Sequence, residues 1–185
     1  NKLKYSLFPY FLILFFSVIF SNLVKRYDRT IFIRVLGLFA LFMVLVSFAG
    51  LRDHSVGGDT VNYRDMFVYK LNAEISIYNI FDGLEPGFGL FQTISQNITK
   101  DFTLFLFFIA AFVVGLSMWT MKKLSMSFPI SVFVFITLGY YLFFFNGARQ
   151  AMSAAIYGLA LIPLLSGKKY QYMILVFVAF LFHKS

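Results

Sequence analysis

The sequence contains no cysteine, and its 185 residues include only two His and eight Asp or Glu. The absence of cysteine excludes disulfide bonds, thiolate metal sites and a cysteine nucleophile. So few imidazoles and carboxylates leave little from which a metal site could be built. The sequence therefore predicts neither a bound metal nor a cofactor.

Charged residues are scarce as well, at 13% of the chain, whereas 60% of the residues are hydrophobic and 21% are aromatic. An ordinary soluble domain has about 25% charged and roughly 45–50% apolar residues. A chain of 21.3 kDa cannot bury 27 Phe and 11 Tyr and still solvate its own surface. The excess apolar surface must face lipid, and a soluble globular protein is excluded. The net charge of +8 is scattered between apolar runs, so no nucleic acid partner is expected.

Apolar runs of membrane-spanning length recur along the chain. About 20 apolar residues in a helix cross the roughly 30 Å hydrocarbon core. Six such runs predict an all-α polytopic transmembrane helix bundle that forms a single membrane domain, with spans at residues 7–24, 31–51, 102–121, 128–145, 148–165 and 170–182. The chain begins at Asn1 and stops directly after the sixth run, which indicates an N-terminal fragment of a longer protein.

Lysine and arginine in the short loops indicate the orientation of these spans. The loops after the first, third and fifth spans share one side, and with Arg34 nearby they hold eight of the sixteen basic residues but only one acid, Asp28. The positive-inside rule makes this side cytoplasmic. The 52–101 segment, the 146–150 corner and His183 are therefore expected on the outer side, together with the remaining seven acids.

The 52–101 segment reads as a structured cap rather than a disordered linker. Thr60 is placed to cap a short helix with an apolar face formed by Tyr63, Met66, Phe67 and Leu71. A second helix is expected after Pro86, with an apolar face formed by Phe88, Phe91, Ile94 and Ile98. Both helices could lie in the membrane interface or dip into the protein.

The first polar cluster lies at the outer end of the second span, where Arg52, Asp53, His54 and Asp59 fall within a few residues. Charges at a membrane boundary are costly when unpaired and are often functional when paired. The alternative is a solvated loop in which Asp59 or Thr60 caps a helix and Arg52 anchors at the interface.

Arg149 and Gln150 enter the start of an otherwise apolar span. An arginine there must find a partner from another segment, reach the membrane surface, or bind an anion such as phosphate with its planar donor fork. His183 at the outer end of the sixth span is either an interface residue or a site residue. Glu85 before Pro86 could simply complement the dipole of the helix that follows.

Four motifs in this order resemble the EpsG family of bacterial membrane proteins. They are Arg52–Tyr63 (RDHSVGGDTVNY), Glu85–Phe88 (EPGF), the Arg149–Gln150 pair at a span start, and Phe182–Ser185 (FHKS). The resemblance covers residues 52–185. It implies kinship with the Wzy-type polymerases, which extend exopolysaccharide, capsule or O-antigen chains, and it implies further spans after Ser185.

The activity implied is a metal-independent membrane glycosyltransferase that joins oligosaccharide repeat units carried on undecaprenyl diphosphate, at the outer face of the bacterial cytoplasmic membrane. For such a reaction we predict diphosphate binding by Arg52, Arg149 and Gln150. Asp59 and His183 are the candidate catalytic groups, because either could orient or deprotonate the acceptor hydroxyl. The candidates for sugar contacts are His54, Tyr63 and Glu85. Besides membrane lipid, a chain-length regulator and a flippase are candidate partners.

Two other functions remain compatible with the sequence. A transporter or flippase of lipid-linked sugars would also need intramembrane arginines, but the polar residues concentrate at one face and no acid lies at mid-membrane. A non-catalytic subunit of a polysaccharide synthase is the other alternative.

Overall fold

The computed structural model describes residues 7–53, 55–71 and 85–184. Regular structure in these ranges is entirely α-helical, which confirms the predicted all-α class. The described helices are α1 (Phe8–Arg26), α2 (Ile31–Gly50), α3 (Thr60–Leu71), α4 (Pro86–Ile98), α5 (Phe102–Leu124), α6 (Phe128–Thr137), α7 (Tyr140–Asn146), α8 (Ala148–Leu165) and α9 (Lys169–Phe182).

Four of these helices, α1, α2, α5 and α8, are long and apolar enough to cross a membrane. The fourth predicted span, by contrast, is not continuous, because α6 and α7 meet at a bend of 42°. Gly139 lies in this break with φ 81°, a left-handed conformation that ends a helix and that glycine adopts without strain. The last helix, α9, is a shorter apolar helix of 14 residues.

The bundle packs α1 against α2 and α6, α2 against α5, α5 against α8, and α8 against α9. Its interior is apolar, with Leu41, Leu45, Leu106 and Met152 fully buried. Large apolar side chains also cover the outside, among them Phe8, Phe11, Phe32, Phe39 and Phe177. An apolar exterior around an apolar core is what a multi-pass membrane protein requires.

A cluster of charges closes one end of the bundle. Lys122 Nζ at the end of α5 donates to the Asp28 carboxylate at 2.6 Å, and Arg34 donates to the Asp28 carbonyl at 2.9 Å. The hydrogen bond from Lys122 and its charge lower the pKa of Asp28. The basic α1–α2 loop and the basic end of α5 therefore lie at the same end of the molecule, opposite the end at which α2 finishes and α5 begins.

The predicted outer location of the 52–101 segment can be tested by cysteine labelling. Asp65 on α3 and Lys169 at the start of α9 are both exposed, and the native sequence carries no cysteine. In a cysteine-free background, we expect Asp65→Cys to react with a membrane-impermeant thiol reagent in intact cells. Lys169→Cys should react only after permeabilisation, and the reverse pattern would invert the topology.

Both predicted helices of the 52–101 segment are present, but one detail of the prediction is wrong. Thr60 is the first residue inside α3 rather than the capping residue before it, and its hydroxyl donates to the carbonyls of Val56 and Phe145, at 2.7 and 3.2 Å. On α4, Phe88 is buried together with Gly89, Gln92 and Ser95, whereas Ile94 and Ile98 are exposed. The expected apolar face of α4 thus lies partly on the outside, where lipid would cover it.

Polar and aromatic contacts hold α3 and α4 on the bundle. The side-chain amides of Gln92 and Gln96 donate to the carbonyls of Met66 and Phe67 on α3, at 3.3 and 2.8 Å. The ring of Phe67 stacks on Phe105 of α5 with centroids 4.9 Å apart. These contacts hold α3 and α4 together and pack α3 against α5.

Candidate functional site

Glu85, in the EPGF motif, contacts residues from two of the other motifs noted in the sequence. Its Oε2 accepts a hydrogen bond from Arg149 Nη1 at 2.6 Å, and its Oε1 lies 2.9 Å from His183 Nδ1. The side chain of Tyr63 on α3 lies close enough to Arg149 to interact with it. We call these four residues the Glu85 network. Four separate stretches of the chain contribute to it, and Glu85 and Arg149 lie 64 positions apart in the sequence.

The EPGF motif explains how Glu85 reaches His183. Pro86 is the first residue of α4, where its missing N–H costs no hydrogen bond. A Cβ added to Gly87 would lie 2.8 Å from the Phe182 ring and 2.9 Å from the Leu181 carbonyl. Only glycine therefore lets the start of α4 lie against the end of α9. The close approach sets Glu85 beside His183.

The network is sheltered but not sealed. The side-chain exposure is 12% for Glu85, 19% for His183 and 31% for Arg149. Burial alone would raise the pKa of Glu85, but hydrogen bonds from its own backbone N–H, Arg149 and His183 outweigh burial and lower the pKa. Glu85 is thus ionised at neutral pH and can only accept hydrogen bonds. The proton between Glu85 and His183 then lies on Nδ1, which leaves Nε2 of a neutral imidazole as the acceptor.

His183 also lines a cavity of about 660 Å³ between α8 and α9. Gln150 and Ser153 contribute polar groups to this cavity, and Phe143, Tyr157 and Phe180 contribute aromatic surface. Ser153 Oγ donates to the Ala179 carbonyl at 2.8 Å, which ties α8 to α9 beside the cavity. We call it the His183 cavity. Ser153 and Tyr157 were not expected from the sequence, because nothing in their spacing distinguishes them from helix-packing residues.

Arg52 lies in a different place. It is 8% exposed and lines a second cavity, of about 630 Å³, whose walls come from α1, α2 and Phe145. Nη1 donates to the Ala49 carbonyl at 3.1 Å, and the guanidinium carbon lies 4.5 Å from the centre of the Phe145 ring. Nε and Nη2 have no hydrogen-bond partner among the described residues. We call this the Arg52 cavity.

The glycine pair of the first motif docks the loop after Arg52 onto α7. Gly57 has φ 97°, and a Cβ there would collide with the Phe145 carbonyl and with the Thr60 hydroxyl. The Gly58 N–H donates to Asn146 Oδ1 at 2.7 Å. The loop is therefore fixed to the residues that immediately precede Arg149.

Gly57→Ala should destabilise the protein severely, because the new Cβ needs both a strained φ and the space of the Phe145 carbonyl. We expect a loss of at least about 2 kcal/mol, measured as a lowered thermal unfolding midpoint of the full-length protein in detergent. Gly58→Ala is the matched control. A Cβ at Gly58 meets nothing closer than Asn146 Oδ1 at 3.7 Å, so a change within about 0.5 kcal/mol is expected. Equal effects of the two substitutions would contradict this account.

Asp59 and His54 complete the set of site residues that were predicted from the sequence. Asp59 is exposed immediately before α3, and its carboxylate makes no hydrogen bond or ion pair that the described ranges show. His54 lies outside the described residues. Of the residues named from the sequence, the structure brings Tyr63, Glu85, Arg149 and His183 together and puts Gln150 in the adjoining cavity. Within the described part of the chain, no three potential metal ligands cluster.

Comparison with known proteins identifies one family. The EpsG family model matches residues 35–185, which include α3 to α9 and every residue of the Glu85 network. No curated protein matches the chain significantly, and neither does any solved structure. Because the match covers most of the sequence and the resemblance of the motifs agrees with it, this multi-pass membrane protein belongs to the EpsG family.

Proposed function

We propose that this protein is a polysaccharide polymerase of the Wzy type. It joins oligosaccharide repeat units carried on undecaprenyl diphosphate, at the outer face of the bacterial cytoplasmic membrane. The products are exopolysaccharide, capsule or O-antigen chains. Membership of the EpsG family supports the general class.

The observation that carries the proposal is the Glu85 network. It combines a cation, a carboxylate and an imidazole beside a cavity lined by both polar and aromatic side chains. Arginine with a planar fork suits a diphosphate, and aromatic surface suits the apolar faces of sugars. A reaction that separates a sugar from a lipid diphosphate needs both.

In the proposed step, the hydroxyl oxygen of the acceptor sugar attacks C1 of the donor sugar. The C1–O bond to the diphosphate breaks, and the lipid diphosphate leaves with the electron pair. Arg149 and Gln150 stabilise the negative charge that develops on the departing oxygen. His183 Nε2 takes the proton of the attacking hydroxyl, while Glu85 holds Nδ1–H and so stabilises the imidazolium that forms.

Other residues have supporting roles in this proposal. Tyr63 and Glu85 position Arg149 from the side of the 52–101 segment, where His54 is a further candidate for contact with sugar. Asp59 is exposed and close in sequence to the network, and it remains the alternative base. The reaction draws no group from a cofactor.

His183→Ala in the full-length protein tests the proposal. We expect polymer yield to fall by about 100-fold, with single lipid-linked repeat units accumulating because the donor is still made and flipped. The measurements are the length of lipid-linked intermediates by mass spectrometry and the level of the protein in membranes.

Lys184→Ala is the matched control, because Lys184 is the exposed neighbour of His183. It should leave polymer length and yield at the parent value. Normal polymer from His183→Ala at a normal protein level would contradict the assignment of His183. A defect in which no repeat unit reaches the outer face would favour a flippase instead.

A further inference from the structure

Arg52 is the buried cation that the Glu85 network does not use. It lines an apolar cavity, yet two of its three guanidinium nitrogens are buried without a hydrogen-bond partner among the described residues. Buried donors are almost always satisfied by protein, water or ligand. An arginine left in this state indicates that an acceptor from outside these residues completes it.

The unpartnered atoms have a particular geometry. Nε and Nη2 form one edge of the guanidinium, and their two N–H groups point the same way, as a fork that fits two oxygens of one phosphate or carboxylate. The third nitrogen is held by the Ala49 carbonyl, and the Phe145 ring covers one face. The fork is therefore fixed in advance of binding.

The surroundings select an amphiphilic ligand rather than a free anion. Apart from Arg52 and Ser47, the lining of the cavity is apolar or aromatic, and it follows α1 and α2 along the bundle. Leu12 and Phe16 line the cavity and are also partly exposed on the lipid-facing side of α1, at 39% and 41%. A long apolar chain can therefore lie in the groove from the membrane side while its head lies at Arg52.

We propose that the Arg52 cavity binds a lipid with a phosphate or diphosphate headgroup. Nε and Nη2 of Arg52 donate to two headgroup oxygens, and the tail lies between α1 and α2. Burial lowers the pKa of Arg52 to about 10, so the guanidinium stays charged at neutral pH. Within the proposed polymerase, which this last step rests on, the cavity provides a place for a second lipid-linked substrate apart from the one at Arg149.

Native mass spectrometry of the full-length protein in phosphatidylcholine nanodiscs tests the proposal. The probes are undecaprenyl diphosphate, undecaprenol, inorganic diphosphate and phosphatidylglycerol. We expect the parent to bind two molecules of undecaprenyl diphosphate. Arg52→Gln should lose one of them, and Arg52→Lys should weaken that one by about tenfold or more, because lysine keeps the charge but lacks the fork. Arg64→Gln is the control, because it changes an exposed arginine on α3, and it should still bind two molecules of undecaprenyl diphosphate.

A second pair of variants guards against a folding defect at Arg52. Leu12→Trp fills the cavity but leaves Arg52 in place, and it should lose the same lipid. Ile19→Trp adds similar volume on the same helix but outside the cavity, so it should keep this lipid. Displacement by phosphatidylglycerol would identify the lipid as a bulk phospholipid, and its failure to displace would identify the polyprenyl carrier. Either result supports a phosphate-headed lipid.

Three results would overturn the inference. These are unchanged stoichiometry in Arg52→Gln, binding of undecaprenol as tight as that of its diphosphate, and binding of inorganic diphosphate as tight as that of the lipid. The proposed function fails separately. If Arg149→Ala keeps both lipids and normal polymer while Arg52→Gln loses one lipid, the Arg52 site stands without the polymerase mechanism.

Discussion

Arg149→Ala is expected to abolish polymer formation and to leave the protein in the membrane. The substitution removes the cation that we assign to the departing diphosphate, and removal of one such group from a sheltered site costs up to about 1000-fold in rate. Arg149→Lys keeps the charge but holds Glu85 and a phosphate less well, so an intermediate loss is expected. The measurements are polymer yield and the number of repeats on the lipid carrier.

Arg64 provides the control for Arg149. It is an exposed arginine on α3, at the same end of the bundle, and Arg64→Ala should make polymer of normal length. A parallel measurement of protein in the membrane separates loss of function from loss of protein. If Arg149→Ala makes normal polymer at a normal level, Arg149 only anchors the helix at the membrane surface.

Glu85→Ala is expected to have the next largest effect, because one substitution releases both Arg149 and His183. Arg149 loses its 2.6 Å partner and His183 loses the acceptor that fixes its tautomer, so we expect a loss of about 100-fold in polymer yield. Glu85→Gln keeps the shape and one acceptor but not the charge, and it should fall between Glu85→Ala and the parent. Polymer yield per molecule of membrane protein is again the measurement.

The role of Glu85 as a positioning residue also predicts a pH dependence of stability. Its pKa is lowered in the folded protein, so its contribution is present above the ordinary pKa of Glu, about 4.3, and is lost as the pH falls through the lowered value. At neutral pH, the free energy of unfolding of the parent should exceed that of Glu85→Gln by about 1–3 kcal/mol. In thermal unfolding scans the difference should persist to about pH 5 and shrink only below it. A difference that grows on acidification would contradict an ionised Glu85.

Composition and charge were enough to predict the class of fold. An excess of Phe and Tyr with few charges leaves lipid as the only solvent for the surface, and helices follow because every backbone group must be satisfied there. The distribution of lysine predicted that the α1–α2 loop and the end of α5 share one end of the bundle. The ion pair between Asp28 and Lys122 now joins them.

The partner of Arg149 could not be predicted in the same way. The sequence left three possibilities for this arginine, and the choice of Glu85 depends on tertiary packing across four segments. The critical residue is Gly87, which allows α4 to touch α9. The EPGF motif could be recognised in the sequence, but the role of its glycine depends on the contact with α9, which the sequence does not show.

The errors of prediction have similar causes. Hydrophobic periodicity put Phe88, Ile94 and Ile98 on one face of α4 but left open whether that face lies in the interface or in the protein, because in a membrane both faces of a helix can be apolar. Thr60 has the sequence position of a cap, but the carbonyls of Val56 and Phe145 accept its proton instead. The bend at Gly139 was missed because a continuous apolar run carries no mark of a left-handed glycine.

The short helix α7 is a wall common to both cavities. Phe145 on one side lines the Arg52 cavity, and Phe143 lines the His183 cavity. One end of α7 is the bend at Gly139, and the other leads through Gly147 directly into the helix of Arg149. A molecule that displaces α7 from one side therefore reshapes the other side. Thermodynamic linkage then requires reciprocity. If a molecule in one cavity changes the affinity of the other cavity by some factor, a molecule in the other cavity changes the affinity of the first by the same factor.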